Sequence, residues 1–269
     1  MDPLSQLSST LIKHENFQRV KYNKNNNCFT LKITKDKEIK MSGLTVKMKK
    51  QMWNDYIYQK TPTRNKDKSS RMHDGIRNGI ARGTMVHEQL RDYFNLETRQ
   101  FLDKYNNYNP QHPFVTQAIY ALNEWKLTPF LSELVVADEK NKMATSVDAL
   151  CIDKNGKLIV IEWKTGHKDY MFRGSGYMKI PTGTNRLFSN CPYHQAQFQL
   201  AFTIVLLENW FGLRVDKGFV IYLNSDGITP YEIPSYILHS KEVFYREFIQ
   251  CVNDDRKKKK KNRKKKNKK

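Results

Sequence analysis

Residues 158–166 have the sequence LIVIEWKTG. A run of apolar, largely β-branched residues predicts a strand that is buried within a sheet. Glu162 and Lys164 interrupt this run, although an unpaired charge in an apolar setting costs several kcal/mol or shifts its pKa until it neutralises. The two residues therefore either lie at an exposed strand end or belong to a group of charges that is completed by other residues or by a ligand.

A second predicted strand, KMATSVDALCI (residues 142–152), precedes this one. The Asn-Gly pair at 155–156 is a strong signal for a hairpin between the two strands. With this pair at the centre of the turn, Asp148 lies opposite Trp163. A one-residue bulge, which is common beside active sites, places Asp148 opposite Glu162 instead. In either register the carboxylates of Asp148 and Glu162 are neighbours across the hairpin.

Lys164 completes a cluster of three ionisable groups, because alternation along a strand points it to the same face as Glu162. Two adjacent carboxylates repel each other unless a cation or a proton joins them. Oxygen ligands of this kind suit a hard ion such as Mg²⁺, with a lysine close to the substrate phosphate. The alternative interpretation is a surface ion-pair cluster that contributes little to stability.

The order of predicted elements indicates an α/β or α+β fold, with a central mixed sheet flanked by helices. Helical periodicity begins near Ile80 and continues through GTMVHEQLRDYF. The other predicted helices are HPFVTQAIYALNEWKL (112–127), YHQAQFQLAFTIVLLENWF (193–211) and KEVFYREFIQCV (241–252). The other predicted strands are SELVVAD (132–138) and GFVIYLN (218–224), together with an N-terminal pair formed by CFTLKI (28–33) and residues 44–48.

The charge distribution divides the chain into three predicted regions. The net charge is +20, and residues 256–269 contain 12 basic residues and no acidic one. Residues 1–70 have a net charge of +9 and are expected to form a basic N-terminal region or small subdomain. Residues 71–252 form the predicted core, and residues 253–269 a disordered polybasic tail. The tail is expected to attract phosphates or to act as a nuclear import signal.

Several protein classes are disfavoured by the composition. No apolar run approaches the roughly 20 residues that span a bilayer, and the N-terminus lacks the apolar block of a secretory signal. The four cysteines are widely scattered and form no CxxC pair, so no zinc ribbon is expected. We therefore expect an intracellular protein without a membrane partner. The basic tail is compatible with the nucleus or a viral replication site.

The order of these motifs resembles that of the PD-(D/E)XK nucleases. Asp148 followed by Glu162-Trp163-Lys164 resembles their D…(D/E)xK signature. GTMVHEQL (83–90) resembles the GxxxH helix of the RecB-like branch, and YHQAQFQLAF (193–202) resembles the Qxxx(Y) helix that follows. The segment is also similar to the mitochondrial genome maintenance exonuclease and to lambda-exonuclease-like alkaline nucleases. The resemblance covers roughly residues 80–225 and implies a restriction-endonuclease-like core.

The resemblance implies a role for each matching residue. The implied metal ligands are His87, Asp148 and Glu162, and the implied catalytic residues are Asp148, Glu162, Lys164 and Gln197. Gln195 and Gln199 remain alternatives to Gln197, because Ala201 stands where the family has a tyrosine. The implied cofactor is Mg²⁺ or Mn²⁺. The iron–sulfur cysteines of some relatives are absent, so no such cluster is expected.

The long segment from Gly166 to Cys191 is predicted to guide a nucleic-acid strand over the site, because it follows directly on the ExK strand. Its basic residues and the tyrosine that follows are the candidate nucleic-acid contacts: Lys168, Arg173, Lys179, Arg186 and Tyr193. The predicted function is that of a metal-dependent DNA nuclease, most simply an exonuclease, in replication, recombination or repair. The partner is single- or double-stranded DNA, and the oligomeric state stays open. The alternative is a non-catalytic nucleic-acid-binding protein on a nuclease-like scaffold.

Overall fold

A mixed sheet forms the centre of the protein, and helices pack on both of its faces. The computed structural model describes residues 3–23, 28–34, 37–53, 66–94, 112–174, 176–179 and 187–266. Within these ranges, the side chains of Pro3, Ser5 and residues 66–78, 260–261 and 263–266 lie outside the description. The described residues contain an eight-stranded sheet, so the predicted mixed sheet flanked by helices is confirmed.

The strands are β1 (Val20–Asn23), β2 (Cys28–Thr34), β3 (Lys37–Gly43), β4 (Thr128–Asp138), β5 (Met143–Ile152), β6 (Leu158–Thr165), β7 (Lys217–Asn224) and β8 (Gly227–Glu232). The helices are α1 (Pro3–Lys13), α2 (Leu44–Gln51), α3 (Lys66–Phe94), α4 (Pro113–Glu124), α5 (Pro192–Phe211), α6 (Ser235–His239) and α7 (Lys241–Lys266), with a short 3₁₀ helix at Tyr170–Phe172. None of the helices in these described ranges is both long enough and apolar enough to cross a membrane.

The strand β5 organises the sheet because three strands pair with it. The order of strands is β1-β2-β3-β5-β6-β7-β8, and β4 also pairs with β5. Since β4 follows one edge of β5 along almost its whole length, β3 and β6 share the other edge. The pairs β3–β5 and β6–β7 are parallel, whereas the remaining pairs are antiparallel. The candidate site is centred on β5, between the positions where β3 and β6 pair with it, and β4 contributes to the site from the other edge.

Two hydrophobic clusters cover the two faces of the sheet, and β6 contributes to both. Leu158 and Val160 belong to the cluster that contains α5, whereas Ile159, Ile161 and Trp163 belong to the cluster of α3 and α4. This alternation follows from the pleat of the strand. β6 is therefore buried on both faces, as its continuous apolar sequence predicts.

One N-terminal prediction was wrong. Residues 44–48 form the start of helix α2 and not a strand. Leu44, Val46 and Met48 alternate as in a strand, but Leu44 and Met48 are also four residues apart, and these two alone are buried. Val46 is 61% exposed.

The structure describes regular elements near both ends of the chain. The N-terminal elements share the main core, because Leu11, Leu31 and Leu44 belong to the same cluster as α5. Helix α7 continues to Lys266, into the segment that was predicted to be disordered. Lysine and arginine are good helix formers, and ion pairs between Lys257 and Asp254 and between Lys259 and Asp255 support this extension.

Candidate active site

The hairpin between β5 and β6 determines the position of Asp148. Its ladder begins with the pair Ala149 and Ile161, so the next position brings Asp148 opposite Glu162. This register corresponds to the alternative that was predicted with a one-residue bulge. The turn accommodates the extra residue because Gly156 adopts a left-handed conformation, with φ of +75°.

The two strands separate at Asp148. β5 pairs with β6 only from Ala149 onward, and with β3 only at Ser42 and Gly43. In the intervening gap, the backbone N–H of Trp163 donates a hydrogen bond of 2.9 Å to Oδ2 of Asp148. The carboxylate thus takes the place of a strand carbonyl, because a buried N–H requires an acceptor. This contact holds the Asp148 side chain within the sheet.

Glu162 is a buried carboxylate whose charge is balanced by Lys164 and which also accepts a hydrogen bond from Gln199. It is 3% exposed. Nζ of Lys164 and Nε2 of Gln199 donate to the same oxygen, Oε1 of Glu162, at 2.5 Å and 2.6 Å. Nζ of Lys164 also donates to Oε1 of Gln199 at 3.4 Å. Burial lowers the pKa of Lys164, but the charges of Glu162 and Asp148 outweigh this effect and raise it. Lys164 is therefore an ammonium group.

On the opposite side of Asp148, helix α3 and strand β4 contribute two further ionisable groups. Nδ1 of His87 lies 3.7 Å from Oδ2 of Asp148 and 3.8 Å from Oε1 of Glu133. Ligand atoms of His87, Glu133 and Asp148 all lie within 4.8 Å of one another. His87 and Glu133 also line an open cleft of about 560 Å³ next to α3, so the group is accessible from solvent.

The backbone of Glu133 is strained. Its φ of +55° lies in the left-handed region, which residues with a side chain rarely adopt. Its neighbours remain in the β4–β5 ladder, with Ser132 opposite Ala149 and Leu134 opposite Val147. Such strain costs about 1–3 kcal/mol and tends to be retained where it positions a functional group. Here it accompanies the approach of the Glu133 carboxylate to His87.

The charges in this group are strongly coupled. Burial raises the pKa of Asp148 to about 7, and the negative charge of Glu162 adds to the effect. Burial lowers the pKa of His87, but the charge of Asp148 and the nearby carboxylate of Glu133 raise it to about 9. A cation placed among these carboxylates would relieve the repulsion that raises the pKa of Asp148.

The residues present fit a divalent cation. One imidazole nitrogen and two carboxylate oxygens converge in the group of His87, Glu133 and Asp148. Carboxylates suit hard cations such as Mg²⁺ and Mn²⁺. Of these two ions, imidazole favours Mn²⁺, which is a transition metal. Glu162 was predicted as a ligand but lies outside this group of three, with its Oε1 bonded to Lys164 and Gln199.

The structure brings Gln199 and not Gln197 to the site. Gln199 bonds to Glu162, as described above, and Gln195 donates to Oδ1 of Asn190 at 2.9 Å. Gln197 is fully buried, and its Nε2 and Oε1 have no hydrogen-bond partner among the described residues. The three glutamines were alternatives in the sequence, and their positions on the helix separate them.

The predicted nucleic-acid contacts lie around the loop that follows β6. Lys168, Arg173 and Lys179 are exposed, and Lys168 forms an ion pair of 3.3 Å with Asp226. Tyr193 is half-buried and packs against Phe172. Arg186 lies outside the described residues. The loop thus presents cations to solvent immediately after the strand of Lys164.

Glu133 is the site residue that the sequence analysis missed. The signal that could have identified it is the same hairpin counting that located Asp148. Counted back from the turn between β4 and β5, Glu133 lies opposite Asp148, because the flanking pairs Ser132–Ala149 and Leu134–Val147 are in this register. Glu133 is also the only acidic residue in the interior of the β4 sequence.

Comparisons with known proteins add little to this geometry. No protein-family model matches the chain, and no curated protein matches it. Among solved structures, the chain is similar to SSO0001, with a TM-score of 0.29 and 19% sequence identity. The match covers 52% of this chain and 55% of that chain, which is about half of each. A likeness at this TM-score carries no argument, so the candidate site rests on its own residues.

Proposed function

We propose that this protein is a metal-dependent DNA nuclease of the PD-(D/E)XK type, similar to the RecB-like branch, with a restriction-endonuclease-like core. The observation that carries the proposal is the burial of Glu162 in contact with Lys164 and Gln199, directly beside Asp148. A structural ion pair between Lys164 and Glu162 does not require a second and a third carboxylate nearby, as Asp148 and Glu133 provide here. The adjacent group of His87, Glu133 and Asp148 supports a metal-dependent reaction.

Each residue has a role in the proposed hydrolysis of a phosphodiester. Lys164, held as an ammonium group by Glu162 and Gln199, donates hydrogen bonds to a phosphate oxygen and stabilises the charge that develops there. His87, Glu133 and Asp148 would hold Mg²⁺ or Mn²⁺, which when bound polarises the phosphate and acidifies a water molecule. Gln199 fixes the orientation of Glu162 and, through it, that of Lys164.

A second candidate function, nucleic-acid binding without catalysis, is supported by a different surface. Partial burial lowers the pKa of Lys47, and the nearby charges of Arg256, Lys50 and Lys259 lower it further. The fold therefore gathers four basic residues of α2 and α7 around one carboxylate, Asp255, which leaves an excess of positive charge that a polyanion would relieve. This surface favours DNA as the partner under both candidate functions.

Cleavage assays distinguish the two functions. End-labelled linear and circular DNA, single- and double-stranded, would be incubated with Mg²⁺, Mn²⁺ or EDTA. We expect cleavage with metal and none with EDTA. The Lys164→Ala variant is expected to lose about 100-fold or more in rate, which is typical for removal of a group that stabilises transition-state charge.

Lys217→Ala is the matched control for Lys164→Ala. Lys217 also lies on a strand of the sheet and forms an ion pair, at 3.2 Å with Glu232, but it lies at the start of β7. This variant is expected to cleave at the wild-type rate. Cleavage that is equally fast in Lys164→Ala, or DNA binding without cleavage under every condition, would leave the binding function as the better account.

A further inference from the structure

A partly exposed aromatic surface lies two strands away from Glu162, since Tyr231 pairs with Val220 and Val220 pairs with Glu162. Phe172 contacts Tyr193 and Tyr231, with ring centroids 5.1 Å and 5.9 Å apart, and the rings of Tyr193 and Tyr231 are 5.1 Å apart. We call these three residues the aromatic surface. They come from three separate elements, namely the 3₁₀ helix, the first turn of α5 and strand β8.

The 3₁₀ helix presents its aromatic rings outward. Met171 is 1% exposed and belongs to the main core, whereas its neighbour Phe172 is 59% exposed. Tyr170 on the other side of Met171 is also exposed. A singly exposed apolar residue is common, but Phe172 belongs to a group of contacting aromatic rings, and such a contiguous patch is typical of a binding surface. The buried Met171 therefore fixes Phe172 in an exposed position.

The loop that carries these rings is held firmly at both ends. The hydroxyl of Tyr222 donates a hydrogen bond to the carbonyl of His167. A Cβ atom on Gly166 would lie 3.0 Å from the ring of Tyr170, and one on Gly174 would lie 2.3 Å from the carbonyl oxygen of Asn190. Both glycines thus permit close packing, which positions the aromatic surface relative to the sheet.

The segment that carries Phe172 follows directly on β6, the strand of Lys164, and contains two exposed basic residues. Gly166 follows Lys164 by two residues, and the loop then carries Lys168 and Arg173, both exposed. Aromatic rings next to a line of cations are the two components of a single-strand binding groove, since the rings stack on bases and the cations follow the phosphates. Duplex DNA can contact the cations through its phosphates, but it cannot stack on the aromatic rings because its bases are already stacked on one another.

We propose that the aromatic surface of Phe172, Tyr193 and Tyr231 stacks on unpaired bases and selects single-stranded DNA, or single-stranded ends, for the candidate active site. The inference rests on the proposed nuclease function for the role of the site. The binding that it describes is independent of catalysis. Phe172 is the outermost ring and would make the principal contact.

The test measures binding in EDTA, so that cleavage plays no part. Three fluorescent probes of equal length would be used: an oligothymidylate, an abasic deoxyribose-phosphate chain and a blunt duplex. Phe172→Ala is expected to weaken binding of the oligothymidylate about fivefold or more, in keeping with the contribution of a stacked base. Binding of the abasic chain and of the duplex is expected to stay at the wild-type level.

Tyr120→Ala is the matched control, because Tyr120 is an aromatic residue of α4 that is 66% exposed. It is expected to bind all three probes as the wild type does. Equal binding of the oligothymidylate by Phe172→Ala and wild type would overturn the inference. An equal loss of affinity for all three probes in Phe172→Ala would also overturn it, because the ring would then act by supporting the fold and not by stacking on bases.

The failure of this inference is distinguishable from the failure of the proposed function. If the wild type cleaves DNA with metal, and Phe172→Ala binds each probe with wild-type affinity, the nuclease function is retained and the aromatic contact is rejected. If the wild type never cleaves DNA, but Phe172→Ala binds the oligothymidylate more weakly than the wild type does, the aromatic contact is retained and the nuclease function is rejected.

Discussion

Two glutamines on α5, Gln197 and Gln199, show how strongly one helical position changes the role of a residue. They are two residues apart, so their side chains leave the helix in nearly opposite directions. Gln199 donates to the buried carboxylate of Glu162, whereas the amide of Gln197 is buried without a described partner. The first contact supports the site, and the second arrangement costs stability, because an unsatisfied buried polar group costs about 1–3 kcal/mol.

Replacing Gln197 with methionine, which has a similar length and no amide, tests this difference. We expect Gln197→Met to raise the free energy of unfolding by about 1–3 kcal/mol and to leave cleavage unchanged. The matched variant Gln199→Met should slow cleavage, because Glu162 loses a hydrogen bond. Urea denaturation and single-turnover cleavage are the measurements. Lost cleavage in Gln197→Met at unchanged stability would assign the catalytic glutamine to Gln197, as the sequence first predicted.

Asp148 and His87 predict the pH dependence of stability in the metal-free protein. The pKa of Asp148 rises from 3.8 to about 7 on folding, so its contribution to stability is present below 3.8 and is lost as pH rises to 7. The pKa of His87 rises from 6.5 to about 9, so its contribution is present below 6.5 and is lost as pH rises through 9. Both groups therefore make the protein less stable at alkaline pH.

The variant Asp148→Asn should flatten this dependence in both ranges, because the Asp148 charge is also the main attraction that raises the pKa of His87. Urea denaturation in EDTA at a series of pH values is the measurement. Asp216→Asn is the control, since Asp216 also accepts a backbone hydrogen bond, at 3.1 Å from Leu158. If the stability of Asp148→Asn depends on pH as that of the wild type does, the ionisation of Asp148 does not contribute to stability and does not raise the pKa of His87.

At the level of elements, the separation of β5 from β6 creates the site. A continuous ladder would occupy the backbone around Asp148, but β3 and β6 pair with different halves of the same edge. Sequence reasoning located the hairpin and the neighbouring carboxylates, because turn signals and strand alternation are local. It could not locate the gap, since that depends on β3, a strand about 100 residues earlier in the sequence that joins the sheet through parallel pairing.

The difference between local signals and long-range packing also explains the other predictions that the sequence did not decide. The face on which Gln199 lies depends on how α5 rotates against the sheet, and the sequence of α5 is apolar almost all round because helices and strands cover it on several sides. Residues 44–48 fit both a strand and a helix, and only the position of the core decided between them. Glu133 was within reach of the sequence, because the hairpin between β4 and β5 has a regular register near its turn.

The start of the loop after β6 packs closely against Tyr222, and this close approach requires a glycine at position 166. A Cβ atom on Gly166 would lie 2.2 Å from the hydroxyl oxygen of Tyr222, which donates to the carbonyl of His167. We expect Gly166→Ala to break this hydrogen bond and to lower the free energy of unfolding by about 1–3 kcal/mol, as overpacking does. Thermal unfolding is the measurement.

Gly79→Ala is the matched control for this substitution. Gly79 lies within α3, and nothing in the described part of the chain lies within 4 Å of an added Cβ atom. Alanine is favoured over glycine in a helix, so this variant should be more stable than the wild type by about 0.5–1 kcal/mol. If the two variants have the same stability, the contact between Gly166 and Tyr222 does not hold the loop.

At the scale of the whole molecule, the basic end of the chain is attached to the nearly neutral core. Arg256 donates from Nη2 to the carbonyl of Asn141 at 2.8 Å, and Lys50 of α2 forms an ion pair with Asp255. The hydroxyl of Tyr245 donates to Oδ2 of Asp138 at 2.9 Å. These contacts fix the first part of α7 against α2 and the β4–β5 turn. The cations that follow therefore extend from a defined point on the core.

Removal of residues 260–269 is the last prediction, and it separates the charge of the tail from its anchoring. The deletion removes eight basic residues and keeps Arg256 and Lys259 in place. On duplex DNA, log K falls with log salt by about 0.9 per phosphate contacted, so the shortened protein should bind more weakly at low salt and show a flatter slope. Its melting temperature should not change, because the contacts of Arg256 remain. The longer deletion, of residues 256–269, should weaken DNA binding and should also lower the melting temperature, because the contact of Arg256 is lost. Binding isotherms over a salt series and thermal unfolding are the measurements, and an unchanged salt slope in the shorter deletion would show that the tail does not contact DNA.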